Sequence, residues 1–132
     1  MIVLIHNEIF NDIGLCVKKW YPSLEEEIPR ICRLLLQDGK ISGETPYHYI
    51  KKPCLQGKVF HAGINLPKEN VGKKKGARIV YMKEDLNLIK ILYVGGHKDK
   101  RYDDSYSSVA LLEKRYSNKN FLEYREGVKF NS

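Results

Sequence analysis

Apolar residues recur along this chain in two rhythms, and the rhythms divide it into elements. Residues 2–5 are a short apolar run, mostly β-branched, which predicts a first strand. The spacing then changes. Ile9, Ile13, Cys16, Val17 and Trp20 fall at i, i+4, i+7, i+8 and i+11, one face of a helix, with Asn7 placed to cap it. Tyr21 and Pro22 interrupt. Ser23, with Glu26 three residues on, has the pattern of a capping box, and Glu25, Glu26 and Glu27 suit the positive end of a helix dipole. Ile28, Ile31, Cys32, Leu35 and Leu36 make a second helical face that Gly39 ends. Pro29 stands inside that pattern, so the helix either kinks there or begins there.

Residues 41–58 carry no clear period and predict loop, with a turn of helix around Tyr47-His48-Tyr49. From residue 58 to 66 the rhythm is two. Val59, His61, Gly63 and Asn65 alternate with Phe60, Ala62, Ile64 and Leu66 until Pro67 ends the strand. A polar, lysine-rich loop follows, then strands over 77–82 and 88–94, joined by the turn-prone residues 83–87. In the last strand Leu88, Lys90, Leu92 and Val94 are expected on one face, and Ile89, Ile91 and Tyr93 on the other. Gly95-Gly96 then permits a bend or a close backbone approach. Val109, Leu112 and Tyr116 predict a helix from about Asp104, and residues 120–126 a last short helix.

Strand, two helices, loop, three strands and a helix make an α+β fold. We expect a small antiparallel sheet of about four strands, an N-terminal helix pair packed on one face, and a C-terminal helix. The other face, or its rim, is expected to be free for binding. A length of 132 residues fits one domain, 1–132, with a core over about 2–116 and a C-terminal extension over 117–132. No apolar run approaches the length of a membrane span, and the first ten residues lack the basic start of a signal peptide.

Charge narrows the partner. There are 23 Lys and Arg against 16 Asp and Glu, a net charge of +7, which favours a polyanion such as nucleic acid or an acidic protein. Three cysteines, Cys16, Cys32 and Cys54, have neither disulfide parity nor zinc-ligand spacing. They predict a reducing, cytoplasmic setting and no metal site. P-loop, dinucleotide, zinc-protease and serine-hydrolase motifs are missing from the sequence.

Potential chemistry is densest just after the last strand, in His97-Lys98-Asp99-Lys100-Arg101-Tyr102. His97 titrates in the range useful for proton transfer, or is a surface histidine. Tyr102 is a proton donor or base-stacking ring, or packs the strand on the last helix. Arg78, at a strand start, can grip a phosphate with two donors or pair with a carboxylate at the sheet edge. Lys73, Lys74 and Lys75, with Lys98, Lys100 and Arg101, can attract phosphates or simply be solvated. His6, His48 and His61 are expected to be structural.

Taken together, Leu55-x-Gly57, Ile64-x-Leu66, Gly76-Ala77-Arg78-Ile79-Val80-Tyr81 and Tyr93-Val94-Gly95-Gly96-His97-Lys98, with Tyr102 close behind, resemble the RelE/ParE superfamily of toxins from bacterial toxin–antitoxin modules. The resemblance covers roughly residues 2–116. It implies a toxin that enters the ribosome and cleaves mRNA without metal or other cofactor, the RNA's own 2′-hydroxyl attacking the neighbouring phosphate. On this sequence it makes Arg78, His97, Lys98 and Tyr102 the catalytic group, with Lys73, Lys74, Lys75, Lys100 and Arg101 binding nucleic acid. Its implied partners are a cognate antitoxin, in a toxin–antitoxin hetero-oligomer, and the ribosome with its mRNA, but no membrane. RNA-cleaving members often carry ionisable residues where Gly63 and Asn65 stand here; His61, on the same strand face, or the lysine loop is the candidate substitute. A second branch acts on DNA gyrase without nuclease activity, and a third alternative is a relative that only binds a partner protein.

Overall fold

The computed structural model describes residues 1–70, 76–96, 98, 99, 101 and 108–130. The first strand, β1 (Ile2–His6), leads into helices α1 (Glu8–Lys19) and α2 (Leu24–Asp38). Then come β2 (Thr45–Pro46), β3 (Val59–Ile64), a single 3-10 turn (Pro67–Glu69), β4 (Ala77–Asp85), β5 (Leu88–Gly96), α3 (Val109–Asn118) and β6 (Phe121–Glu123). The fold is α+β, as the element order predicts.

The sheet is larger than expected and it is mixed. Six strands lie in the order β2-β3-β4-β5-β1-β6. The β3-β4-β5 meander is antiparallel, but β1 lies parallel to β5, with Ile5 opposite Ile91. The helix expected over residues 120–126 is instead an edge strand, β6, antiparallel to β1. Residues past Tyr116 belong to the fold: Tyr124 and Phe130 are buried, and Phe130 stacks on Phe10 of α1 at 5.5 Å.

Both faces of the sheet are covered, which corrects the expectation of a free face. On one face α1 and α2 pack Ile9, Ile13, Cys16, Ile28, Ile31 and Leu35 against Val3, Ile5, Ile79, Tyr81, Ile89 and Ile91. On the other, Tyr47, Ile50, Leu55 and Leu112 cover Val59, Val80, Met82, Leu92 and Tyr93. The 47–55 loop and α3 therefore close the second face.

A bulge changes the phase of β5. Val80 pairs with Tyr93 and Tyr81 with Ile91, so Leu92 is an extra residue. Leu92 and Tyr93 then turn to the α3 side together, while Ile89, Ile91 and Val94 face the helix pair. The simple alternation expected for this strand holds up to Leu92 and breaks at Tyr93.

Helix ends follow local chemistry with two substitutions of role. The first helix is capped by His6, whose Nδ1 accepts the Glu8 N–H at 3.1 Å, and not by the side chain of Asn7. Ser23 stands at the N-cap of α2, but its hydroxyl is held by Glu69 rather than by a capping bond. That helix runs through Pro29 and stops at Gly39, whose φ of 69° is easy for glycine alone.

Candidate active site

Strand β5 outlasts its neighbour, and the site is built where that happens. β1 pairs with β5 only as far as Ile91, then turns into α1. From Leu92 onward the outer edge of β5 needs other partners, because buried backbone groups are costly to leave unpaired. Side chains supply them. Asp12 of α1 accepts the Val94 N–H at 3.2 Å, and Arg115 of α3 donates to the Leu92 carbonyl at 2.9 Å. The two side chains clasp each other at 2.6 and 3.0 Å, both fully or almost fully buried.

The turn after β5 joins the same cluster. Arg101 donates to Asp99 at 2.8 Å and lies 3.1 Å from Asp12. The Tyr93 hydroxyl donates to Asp99 at 2.9 Å, and the Asp99 N–H closes the turn onto the Gly96 carbonyl at 2.9 Å. Two carboxylates thus face two guanidiniums, the arrangement that makes burying charge tolerable. Burial alone would raise the Asp99 carboxyl, but hydrogen bonds from the Arg101 side chain and backbone and from Tyr93 outweigh it and hold it below its ordinary value. Burial first, then Asp99, pushes the Tyr93 hydroxyl far up, so it remains a donor. Cys16 is pushed up to about 12 by burial and by Asp12 and Asp99, which makes it a poor nucleophile.

On the α3 side of the same sheet end, one cross-strand row reads Gly63–Arg78–Gly95 and the next His61–Val80–Tyr93. Arg78 therefore stands between two glycines. One of these is demanded by packing: a Cβ on Gly95 would lie 1.8 Å from the Tyr93 hydroxyl oxygen, so only glycine lets that ring lie across the strand. His61 is the diagonal neighbour of Arg78, a separation of roughly 7–8 Å between backbones that long side chains can span. Both are half-buried. His61 Nε2 shares a hydrogen bond with Thr45 Oγ1 at 2.8 Å, and its ring meets Tyr47 edge-on at 5.6 Å. The Tyr47 hydroxyl is bonded to Ser108 just before α3. An arginine diagonal to an oriented imidazole is a pair whose chemistry suits holding a phosphate and moving a proton.

Of the residues singled out in the sequence, Arg78 occupies this row, and Lys98 is exposed beyond the end of β5. Arg101 is engaged by Asp99 and Asp12. Lys73, Lys74, Lys75, His97, Lys100 and Tyr102 lie outside the described residues. His61 reads from the sequence as structural first, and as a stand-in for the ionisable groups missing at Gly63 and Asn65 second; the two-residue alternation with Gly63 is what puts it on Arg78's face. Asp12 was missed. Its signal was an acid set among Ile9, Ile13 and Cys16 on an apolar helix face. Among the described residues no group of three or more His, Cys, Asp or Glu is placed to hold a metal ion, and no helix is long and apolar enough to cross a membrane. No protein-family model, curated protein or solved structure matches this chain.

Proposed function

We propose that this protein is a toxin of the RelE/ParE kind, a ribosome-dependent, metal-independent endoribonuclease that cleaves mRNA in the cytoplasm and is silenced by a cognate antitoxin. The observation that carries this reading is Arg78 with His61 diagonal to it, on the sheet end that leads into His97 and Lys98. Net charge +7 supports an anionic target.

In the proposed reaction the 2′-oxygen of the RNA attacks the adjacent phosphorus and the bond to the 5′-oxygen of the next nucleotide breaks. An imidazole, of His61 or His97, takes the 2′-hydroxyl proton; an acid, Lys98 or Tyr102, returns one to the departing oxygen. Arg78 meets the charge that grows on the non-bridging oxygens, where a positioned cation contributes most. Lys73, Lys74, Lys75 and Lys100 hold the backbone of the strand, while Arg101 is held by Asp99 and Asp12.

The test is induced expression followed by primer extension on cellular transcripts. Cuts appear with the wild type and are lost in Arg78→Ala. Transcripts that stay whole while growth stops would overturn the reading. Gly63, which faces Arg78 without a titratable side chain, favours the alternative of a non-nucleolytic toxin acting on gyrase. Whole mRNA with a DNA-damage response would support that alternative.

A further inference from the structure

The loop that closes the α3 face of the sheet has a composition its covering role does not require. Residues 46–53, Pro-Tyr-His-Tyr-Ile-Lys-Lys-Pro, contain two tyrosines, a histidine and two lysines, and no carboxylate. Ile50 and Tyr47 are buried beneath it and do the covering. His48, Tyr49 and Lys51 face outward, Tyr49 with 37% of its surface exposed.

The loop is also held in place. The Tyr47 N–H donates to the Val59 carbonyl at 2.8 Å, and the Tyr47 hydroxyl is bonded to Ser108. The Lys52 N–H donates to Glu113 at 3.3 Å and its ammonium to Ser117 at 2.6 Å, both on α3. Tyr49 rests against Tyr47 with ring centres 6.2 Å apart and planes at 78°. Tyr47 in turn touches His61, the diagonal neighbour of Arg78. An aromatic ring fixed in advance, flanked by cations and continuous with a phosphate-binding arginine, suits an unpaired base and its backbone, because little ordering remains to be done on binding.

We infer that residues 47–51 form a binding wall for single-stranded RNA, in which Tyr49 stacks a base and Lys51 and His48 meet the phosphates beside it. This wall rests on the reading of Arg78 and His61 as a phosphate site and extends that site along the sheet edge. An acidic protein segment would be drawn by the lysine but would gain little from the ring, whereas a nucleotide uses both.

Fluorescence anisotropy with a labelled oligouridine tests it, the RNA being 2′-O-methylated so that it cannot be cut and roughly 12 nucleotides long, within the site sizes of single-strand grooves. Tyr49→Ala weakens binding about 5- to 100-fold, the range for one lost stacking partner. Tyr49→Phe binds within about twofold of the wild type, because the face of the ring is what the base uses. Lys51→Gln flattens the salt dependence by about 0.7 in the log–log slope, one phosphate on a single strand. A thiouridine-substituted oligonucleotide crosslinks the wild type within residues 47–51, which needs no variant to fold. Crosslinks only elsewhere, wild-type binding by Tyr49→Ala, or Tyr49-dependent binding of polyglutamate but not of RNA would each overturn the wall. The two readings fail separately: methylated RNA held through Tyr49 while native transcripts stay whole sinks the nuclease and leaves the wall standing.

Discussion

Asp12 on α1 and Arg115 on α3 sit 103 positions apart in sequence and clasp each other around the edge of the sheet, at 2.6 and 3.0 Å. One helix lies on each face, so the pair staples the two halves of the core together. It also completes β5 where β1 has departed, through Val94 and Leu92. Removing one partner leaves the other charge buried and one backbone group unpaired, the Val94 N–H without Asp12 or the Leu92 carbonyl without Arg115. Asp12→Ala and Arg115→Met are each expected to cost about 3–5 kcal/mol, the usual range for a broken buried pair. The double variant should cost clearly less than the sum, which urea titrations of all four proteins would measure. Additive losses would mean that the two residues act independently.

The parts of this fold that could be read in advance are those where a period runs long enough to be seen. Ile9, Ile13, Cys16 and Ile28, Ile31, Leu35 each span two turns or more, and both helices lie where those faces put them. Strands β2 and β6 have two and three residues, too few to carry a period of two. The bulge at Leu92 left no mark either, since one extra apolar residue in an apolar strand changes the facing without changing the composition. Val109, Leu112 and Tyr116 marked α3 as a helix, but a periodic stripe does not say which sheet face it will cover. Arg78 was legible from its neighbours in sequence; His61 was legible only as a substitute on the Gly63 face, and the register is what sets it diagonal to Arg78.

Gly95 is expected to be intolerant for a reason specific to Tyr93. Gly95→Ala places a methyl group where the tyrosine oxygen lies, at 1.8 Å, so the ring must leave and its hydroxyl must release Asp99. Overpacking of this kind costs about 1–3 kcal/mol. In a Tyr93→Val background the same substitution should cost much less. Equal costs in the two backgrounds, read from thermal or urea unfolding, would show that the ring is not the obstacle.

Acid should weaken the fold through the same cluster. Burial pushes the Asp99 carboxyl up, but the Arg101 side chain and backbone and the Tyr93 hydroxyl together bring it below its ordinary 3.8. Glu44 is also lowered, from 4.5: burial opposes the shift, and hydrogen bonds from Lys83, Tyr81 and the Ile41 N–H prevail. A carboxyl depressed in the folded state adds stability above its unfolded value and loses it as pH falls through the folded one. Stability is therefore expected to be level above about pH 5 and to drop as the solution is acidified below about pH 4. Asp99→Asn should lower stability near neutrality and shrink the difference between urea midpoints at about pH 7 and about pH 3. An unchanged difference would place the acid sensitivity elsewhere.

The last prediction decides which imidazole moves the proton in the proposed cleavage. His61 is diagonal to Arg78 and oriented by Thr45, with a hydrogen bond of 2.8 Å at Nε2. His97 follows β5 directly in the chain. A general acid or base typically contributes about 10²–10⁴-fold, so replacing the one that acts by glutamine should lower the single-turnover rate by that much. The other replacement should change it by less than about tenfold, which is too little for a lost proton carrier. Glutamine keeps hydrogen-bonding capacity but cannot titrate, so ribosome binding should hardly change in either variant. If His61 acts, Thr45→Val should also slow the step by freeing the ring, and the acidic limb of the pH–rate profile should be lost in His61→Gln but kept in His97→Gln. If His97 acts, the two profiles should exchange. Should both variants cleave at the wild-type rate, proton transfer would fall to Lys98 or Tyr102. Should the wild type itself leave ribosome-bound mRNA whole, Arg78 and His61 would be a binding surface only, and the gyrase-directed alternative would become the stronger reading.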